Sequence, residues 1–404
     1  MKSKLFSQFS WILAGRIIAA ALQAATVAIL ARLLGPQQFG VLAVVLGVII
    51  WLQAVADLGM AKLVVRERAA GNSADLVAGG LWINSRSTLI LSIVLGLAFI
   101  GGGLAFDESL FLMLPLAVSA AGEKNADTWL GVAIADGDTH LNSLNLVGRR
   151  TIALTGFLTL NSLDISPMLS YSSAVAVAAI TSVIFARRHV SKLEISARAS
   201  FAETISTARP FWMNTLAVQL RNLDAMVVGV VANASAVGYY ATASKLSGPL
   251  NMLPTSLSVV ILPHAARTRR ESLSSIVKIV FLAGSLVGLI YLSLVFIIPW
   301  LIPTVLGHAY IPAIVPLQIV LVGLIFAAFS SLFGAVLQGR GLPREVATIA
   351  VCATIYLMVA LAVLGSIFGA VGAALALASS YAVDSLALGA VFILKVLRKT
   401  GEEN

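Results

Sequence analysis

The chain has 404 residues, 59% hydrophobic and 11% charged, with a mean hydropathy of +0.97. Soluble domains carry about a quarter charged residues, so a soluble globular domain is excluded and a polytopic membrane protein is indicated. Lys and Arg number 27 against 18 Asp and Glu, a net charge of +9. These cations punctuate apolar runs, which argues for lipid and topology and against a nucleic-acid partner.

The N-terminus, MKSKLFSQFSWILAGRIIAAALQ, begins like a signal peptide. Its apolar stretch continues to about Leu34, too long for an h-region, so it is read as a retained first span. A bilayer core is crossed by about 20 residues of helix, and segments of that length recur at 9–34, 39–61, 81–106, 109–134, 143–162 and 169–186. A second set follows at 210–232, 238–262, 279–301, 311–337, 347–366 and 370–394. The expected fold is all-α: twelve transmembrane helices in two pseudo-symmetric six-helix lobes around a central cavity. The polar stretch 187–209 divides residues 1–186, the N-terminal lobe, from 210–404, the C-terminal lobe, as a cytoplasmic linker.

Orientation follows from the basic residues. They are plentiful on the N-terminal tail (Lys2, Lys4), on the even-to-odd connections (among them Lys62, Arg66, Arg68, Arg187, Lys192, Arg269, Arg270 and Arg340) and on the C-terminal tail (Lys395, Arg398, Lys399). The opposite connections, such as GPQQ, FDES and NSLDISP, contain none. The positive-inside rule therefore places both termini in the cytoplasm.

An internal repeat supports the six-plus-six division. The turn LLGPQQFGVLAVV around Gly40 and the turn VVANASAVGYYATA around Gly238 are 198 residues apart, about half the chain. The same shift carries the later spans of the first half approximately onto those of the second. Halves with an even number of spans share one topology.

Signatures of catalysis are nearly absent. There is no Walker-type glycine loop, no HExxH and no GxSxG, and His140, His189, His264 and His308 lack ligand spacing. The single cysteine, Cys352, offers neither a disulfide nor a thiolate cluster. Asp136-Gly-Asp138 reads as a polar turn between spans. No enzyme activity, cofactor or metal is expected.

The informative residues are ionisable groups inside the spans, which normally face a bundle interior or a wet cavity. Within 210–232, Arg221 and Asp224 stand three residues apart, on neighbouring turns of one helix face. Arg16 and Lys245 lie a turn or two into their spans, and Arg86 lies early in the third. Arg32 can snorkel to an interface, and Lys124 has Glu123 and Asp127 beside it for local neutralisation. Asp57 and Asp384 complete the acids of interest, Asp384 with no obvious partner. Pro115, Pro249, Pro254, Pro312 and Pro316 are expected to interrupt their spans, and Gly284-xxx-Gly288 is a close-packing face.

The stretches ARLLGPQQFGVLAVV (31–45), ADLGMAKLVVRE (56–67) and LDAMVVGVVANASAVGYYATASKL (223–246) resemble the Wzx-like polysaccharide-biosynthesis flippases. That family belongs to the superfamily of peptidoglycan lipid flippases and multidrug-and-toxin exporters. The resemblance covers essentially the whole chain in span count and register, and its motifs identify the superfamily better than the substrate. It implies alternating access and ion-gradient-coupled movement of an undecaprenyl-diphosphate-linked oligosaccharide to the outer leaflet of a bacterial inner membrane, for a surface polysaccharide. It also implies a proton or sodium ion as coupling partner, with membrane lipids and glycan polymerase machinery as further partners. Asp224 and Lys245 match positions often charged in the family, and Asp57 matches its aspartate-glycine stretch. Peptidoglycan-precursor flippases usually have two more spans.

Arginine's fork suits a diphosphate, and burying unpaired phosphate charge in lipid is prohibitive. Arg16, Arg86, Arg221 and Lys245 are therefore the expected substrate-binding residues, with Asp57, Asp224 and Asp384 for ion coupling or charge balance. An exporter of cationic drugs is the alternative within the superfamily, but it wants an acidic cavity. A membrane-embedded glycan polymerase or ligase is the alternative outside it, but it wants a sizeable outer loop.

Overall fold

In lipid each backbone N–H and C=O must be satisfied within its own segment, so long apolar runs fold as helices. The computed structural model describes residues 2–71, 74–190, 198–267 and 273–397, with side chains left out at 2–13, 259–260, 262–267, 273–276 and 396–397. Lys192, Arg269, Arg270, Arg398 and Lys399, and the middle of the 187–209 stretch, lie outside the described residues.

In chain order the helices are α1 (Lys2–Asp57), α2 (Met60–Ala70), α3 (Ala74–Ala105), α4 (Pro115–Ala135), α5 (Thr139–Ser162), α6 (Pro167–Val190) and α7 (Phe201–Gln219). They continue with α8 (Asp224–Val231), α9 (Ala234–Ser247), α10 (Met252–Arg267), α11 (Leu273–Val305), α12 (Ile314–Gly339) and α13 (Pro343–Phe392). Among the described residues, six of these are long and apolar enough to cross a membrane, within α1, α3, α6, α11, α12 and α13. Leu104, Leu282, Phe296 and Trp300 stand exposed on them, as lipid-facing residues do. The protein is a multi-pass, all-α membrane protein.

Two of the long helices are each two segments joined by a one-residue turn. Gly35 (φ 74°) breaks α1 and Gly369 (φ 56°) breaks α13; only glycine takes this backbone region freely. Pro36 follows Gly35 in the first turn of the next segment, where its missing N–H costs nothing. The same logic corrects three of the expected proline interruptions. Pro115 opens α4, Pro316 falls in the first turn of α12, and Pro312 sits in the 3-10 turn His308–Ala313 before it. The expected break in the eighth span is real, since α9 ends at Ser247 and α10 begins at Met252 around Pro249.

The polar stretch before the seventh span is partly helical. Ser200 caps α7 by accepting from the Glu203 N–H at 3.3 Å, the first half of a capping box. The seventh span itself is not one regular helix. A 3-10 turn, Leu220–Leu223, separates α7 from α8. Arg221 thus lies in a tight turn, and Asp224 opens the next helix, rather than both sharing one α-helical face.

Contacts divide the chain into two compact units. Unit 1 comprises residues 1–26 and 48–222, and unit 2 comprises 27–47 and 223–404. In unit 1, α4 packs on α6, α5 on α6, and α2 against α3, α4 and α7. In unit 2, α12 is central, covered by α10, α11 and α13; the rings of Phe329 and the side chain of Ile325 pack where Gly284 and Gly288 leave room on α11. Unit 2 also holds the first hairpin turn. There a Cβ on Gly40 would overlap the carbonyl oxygen of Ala234, and one on Gly238 would overlap that of Pro36. The 198-residue offset exchanges these two contacts, so the two similar turns cross backbone to backbone.

Candidate functional site

In unit 1 Asp57 and the acids Glu123 and Asp127 of α4 are matched by cations. α1 ends at Asp57, where Leu58 (φ 50°) and Gly59 (φ 81°) turn the chain. Gly59 is required on two counts: its φ is positive, and a Cβ there would stand 2.5 Å from the Ala208 carbonyl oxygen on α7. Trp212 of α7 donates from Nε1 to the Val55 carbonyl at 3.1 Å, holding the same corner. Asp57 is 1% exposed, accepts from the Ala61 N–H at 3.3 Å, and pairs with Lys124 Nζ at 3.1 Å.

Lys124 is therefore neutralised by Asp57, not by its neighbours Glu123 and Asp127. Helix α4 sends those two elsewhere. Arg149, 6% exposed, reaches Asp127 at 3.1 Å and Glu123 at 3.5 Å, and Arg150 donates to Glu123 at 3.3 Å. Beside this network Arg187 donates to Asn125 Oδ1 at 3.1 Å and lies 5.6 Å over the Trp129 ring. The sequence places Arg187 on a basic connection and Arg149 and Arg150 near the start of the fifth span, without showing their reach to the acids and amide of α4. Arg16 is exposed on α1. Arg86 is exposed on α3, 4.8 Å over the Trp82 ring, which Arg198 also approaches at 5.6 Å. Arg221 is half-buried in its 3-10 turn.

Unit 2 meets Asp224 and Asp384 with neutral groups, while Glu345 pairs with Lys395 at its edge. Asp224 is 7% exposed; its Oδ2 accepts from the Tyr240 hydroxyl at 2.9 Å and the Ser244 hydroxyl at 3.2 Å, and its Oδ1 from the Ala225 N–H at 2.7 Å. Tyr240 and Ser244 are four residues apart on α9, one helical turn, and so face α8 together. Lys245, next along, is half-buried, and no carboxylate of the described residues lies within ion-pairing distance of it. Asp384 does have a partner: the Ser330 hydroxyl of α12 donates to its Oδ2. Its Oδ1 is buried without a hydrogen-bond partner. Arg32, exposed on its segment, donates to the Thr304 and Val305 carbonyls at 3.2 and 3.4 Å at the end of α11.

Two family models match the chain, both described as polysaccharide biosynthesis protein, one over residues 5–120 and the other over 162–315. The chain belongs to the Wzx-like polysaccharide biosynthesis family. Solved structures give the same fold along nearly its whole length. The lipid II flippase MurJ in an inward closed conformation is 12% identical, with a TM-score of 0.68 over 97% of this chain and 87% of that one. The Vibrio cholerae MATE transporter VcmN is 16% identical, with a TM-score of 0.66 over 98% and 97%. A MOP superfamily transporter from Pyrococcus furiosus, described by a reverse polarity of its binding pocket, is 14% identical, with a TM-score of 0.61 over 98% and 95%. At these identities the likeness establishes the fold alone. A search of curated proteins finds no match.

Proposed function

We propose that this family member moves an undecaprenyl-diphosphate-linked oligosaccharide from the cytoplasmic to the outer leaflet by alternating access, coupled to a proton or sodium gradient. In this reading twelve spans form two six-helix lobes with cytoplasmic termini, in a bacterial inner membrane. Arg16, Arg86, Arg221 and Lys245 hold the diphosphate, while Asp57, Asp224 and Asp384 balance charge or couple ions.

The observation that supports it is a surplus of cations in unit 1. After Lys124, Arg149 and Arg150 are set against Asp57, Glu123 and Asp127, no carboxylate of the described residues pairs with Arg16, Arg86 or Arg187. Guanidinium groups left with open donors suit a diphosphate, which they can bind bidentately. The same surplus would repel a cationic drug.

The test is reconstitution of the full chain in vesicles with a fluorescent polyprenyl-diphosphate oligosaccharide, scored by glycan exposure to an impermeant lectin. Exposure should need the protein and fall by an order of magnitude or more when Arg16 and Arg86 are both changed to Gln. Full exposure by that variant, or export of cationic dyes in place of the glycan, would overturn the reading.

A further inference from the structure

The three acids carried as coupling groups differ in what already satisfies them. Asp57 is neutralised by Lys124. Asp224 has donors on both oxygens. Asp384 has one buried oxygen with none.

That carboxylate lines a cavity of about 290 Å³ inside unit 2, between α10, α12 and α13. Its other polar wall residues are Ser258, Ser330, Ser331 and Gln338. Ser258 is held in place at 2.7 Å from Ser331 Oγ and by donating to the Ser331 carbonyl at 3.0 Å. Among the described side chains, the other charged groups near the ends of these helices, Arg340, Arg344 and the Glu345–Lys395 pair, do not line it.

A carboxylate oxygen without a donor in an apolar bundle is costly unless its charge is neutralised. A single carboxylate brings one negative charge, while the hydroxyl and amide oxygens around it are neutral hard ligands of the kind alkali and alkaline-earth ions accept. A divalent ion would want more acid than this, and no group of three metal-ligating side chains occurs among the described residues. We propose that the cavity holds one exchangeable monovalent cation, sodium or a proton, on Asp384. The polar groups that wall the cavity stand on three helices, α10, α12 and α13. This rests on the ion-coupled reading above and narrows its three acids to one.

The experiment uses the purified full chain in lipid nanodiscs with radioactive sodium as the probe. Saturable binding of about one ion per chain is expected, lost in Asp384→Asn and weakened roughly tenfold in Ser258→Ala. A proton in place of sodium would appear as a protonated-carboxyl band in the acid-minus-alkaline infrared difference spectrum, absent from Asp384→Asn. Neither signal in the wild type, or either one persisting in monodisperse Asp384→Asn, overturns the proposal. If Asp384→Asn does not fold, Asp384→Glu and Ser258→Ala decide it: unchanged cation affinity in both overturns it, and altered affinity in either supports it. Ion binding without glycan movement in the vesicle assay sinks the substrate reading and leaves this site. Glycan movement with no ion signal does the reverse.

Discussion

The two units of the molecule manage buried charge in opposite ways. In unit 1 the acids on and beside α4 meet lysine and arginine, in pairs fixed at 3.1–3.5 Å. In unit 2 Asp224 and Asp384 meet hydroxyls. The difference matters because a carboxylate locked to a cation has little reason to change state. One held by neutral donors keeps its full charge and can exchange a proton or ion. By this criterion the ion-paired acids of unit 1 are structural, and the acids the proposed coupling would draw on are those of unit 2.

The sharpest way to break this contrast is Lys124→Met. It strands Asp57, which is 1% exposed, and removing one partner of a buried pair costs about 3–5 kcal/mol. A fall of that size should appear as a large drop in detergent melting temperature, and adding Asp57→Leu should recover most of it. If the single variant melts like the wild type, the unit 1 pairs are not structural.

In unit 2 the corresponding change is milder. Tyr240→Phe takes one of three donors from Asp224, and a hydrogen bond to a charged group is worth about 1.5–3 kcal/mol. Asp224→Asn should cost less than Asp57→Asn, because the amide can still accept from Tyr240 and Ser244 while Lys124 would be left facing a neutral group. Equal costs for the two would erase the distinction between the units. Unit 2 should instead be sensitive at its close crossing. Gly238→Ala puts a methyl onto the Pro36 carbonyl oxygen, and overpacking of this kind costs about 1–3 kcal/mol. Gly40→Ala should match it, since the repeat exchanges their roles; a thermal melt of each checks both.

Much of this was legible in the sequence. Apolar runs marked where the long helices lie, because span length is set by bilayer thickness and not by packing partners. The one-residue breaks at Gly35 and Gly369 fell where the runs were split. Two features escaped. The polar stretch before the seventh span hid the start of α7, although Ser200 and Glu203 carried a capping signal. The 3-10 turn at Leu220–Leu223 has no signature stronger than the charges it presents. Partner choice was the least legible. Lys124 sits beside Glu123 and near Asp127, yet it pairs with Asp57, because which helix faces which is decided in three dimensions. Ser330, 54 residues before Asp384, could not have been named as its partner from spacing.

The smallest effect belongs to a pair that resembles the unit 1 network in chemistry but not in setting. Arg68, at the end of α2, grips Asp136 past the end of α4, Nε to Oδ1 at 2.7 Å and Nη2 to Oδ2 at 3.1 Å. The hydrogen bond to Asp136 raises the Arg68 pKa above its usual range. Geometry alone would rank this bidentate pair with the strongest in the molecule. Both side chains are more than a third exposed, however, and water screens such pairs to about 0.2–1 kcal/mol. Asp136→Asn should therefore lower the melting temperature slightly, and the loss should shrink further in high salt, where exposed charges are screened. The Lys124–Asp57 pair, shielded from solvent, should keep its larger effect in the same buffer. A salt-insensitive Arg68–Asp136 pair, or a salt-sensitive Lys124–Asp57 pair, would mean that burial is not what separates structural from incidental charge in unit 1.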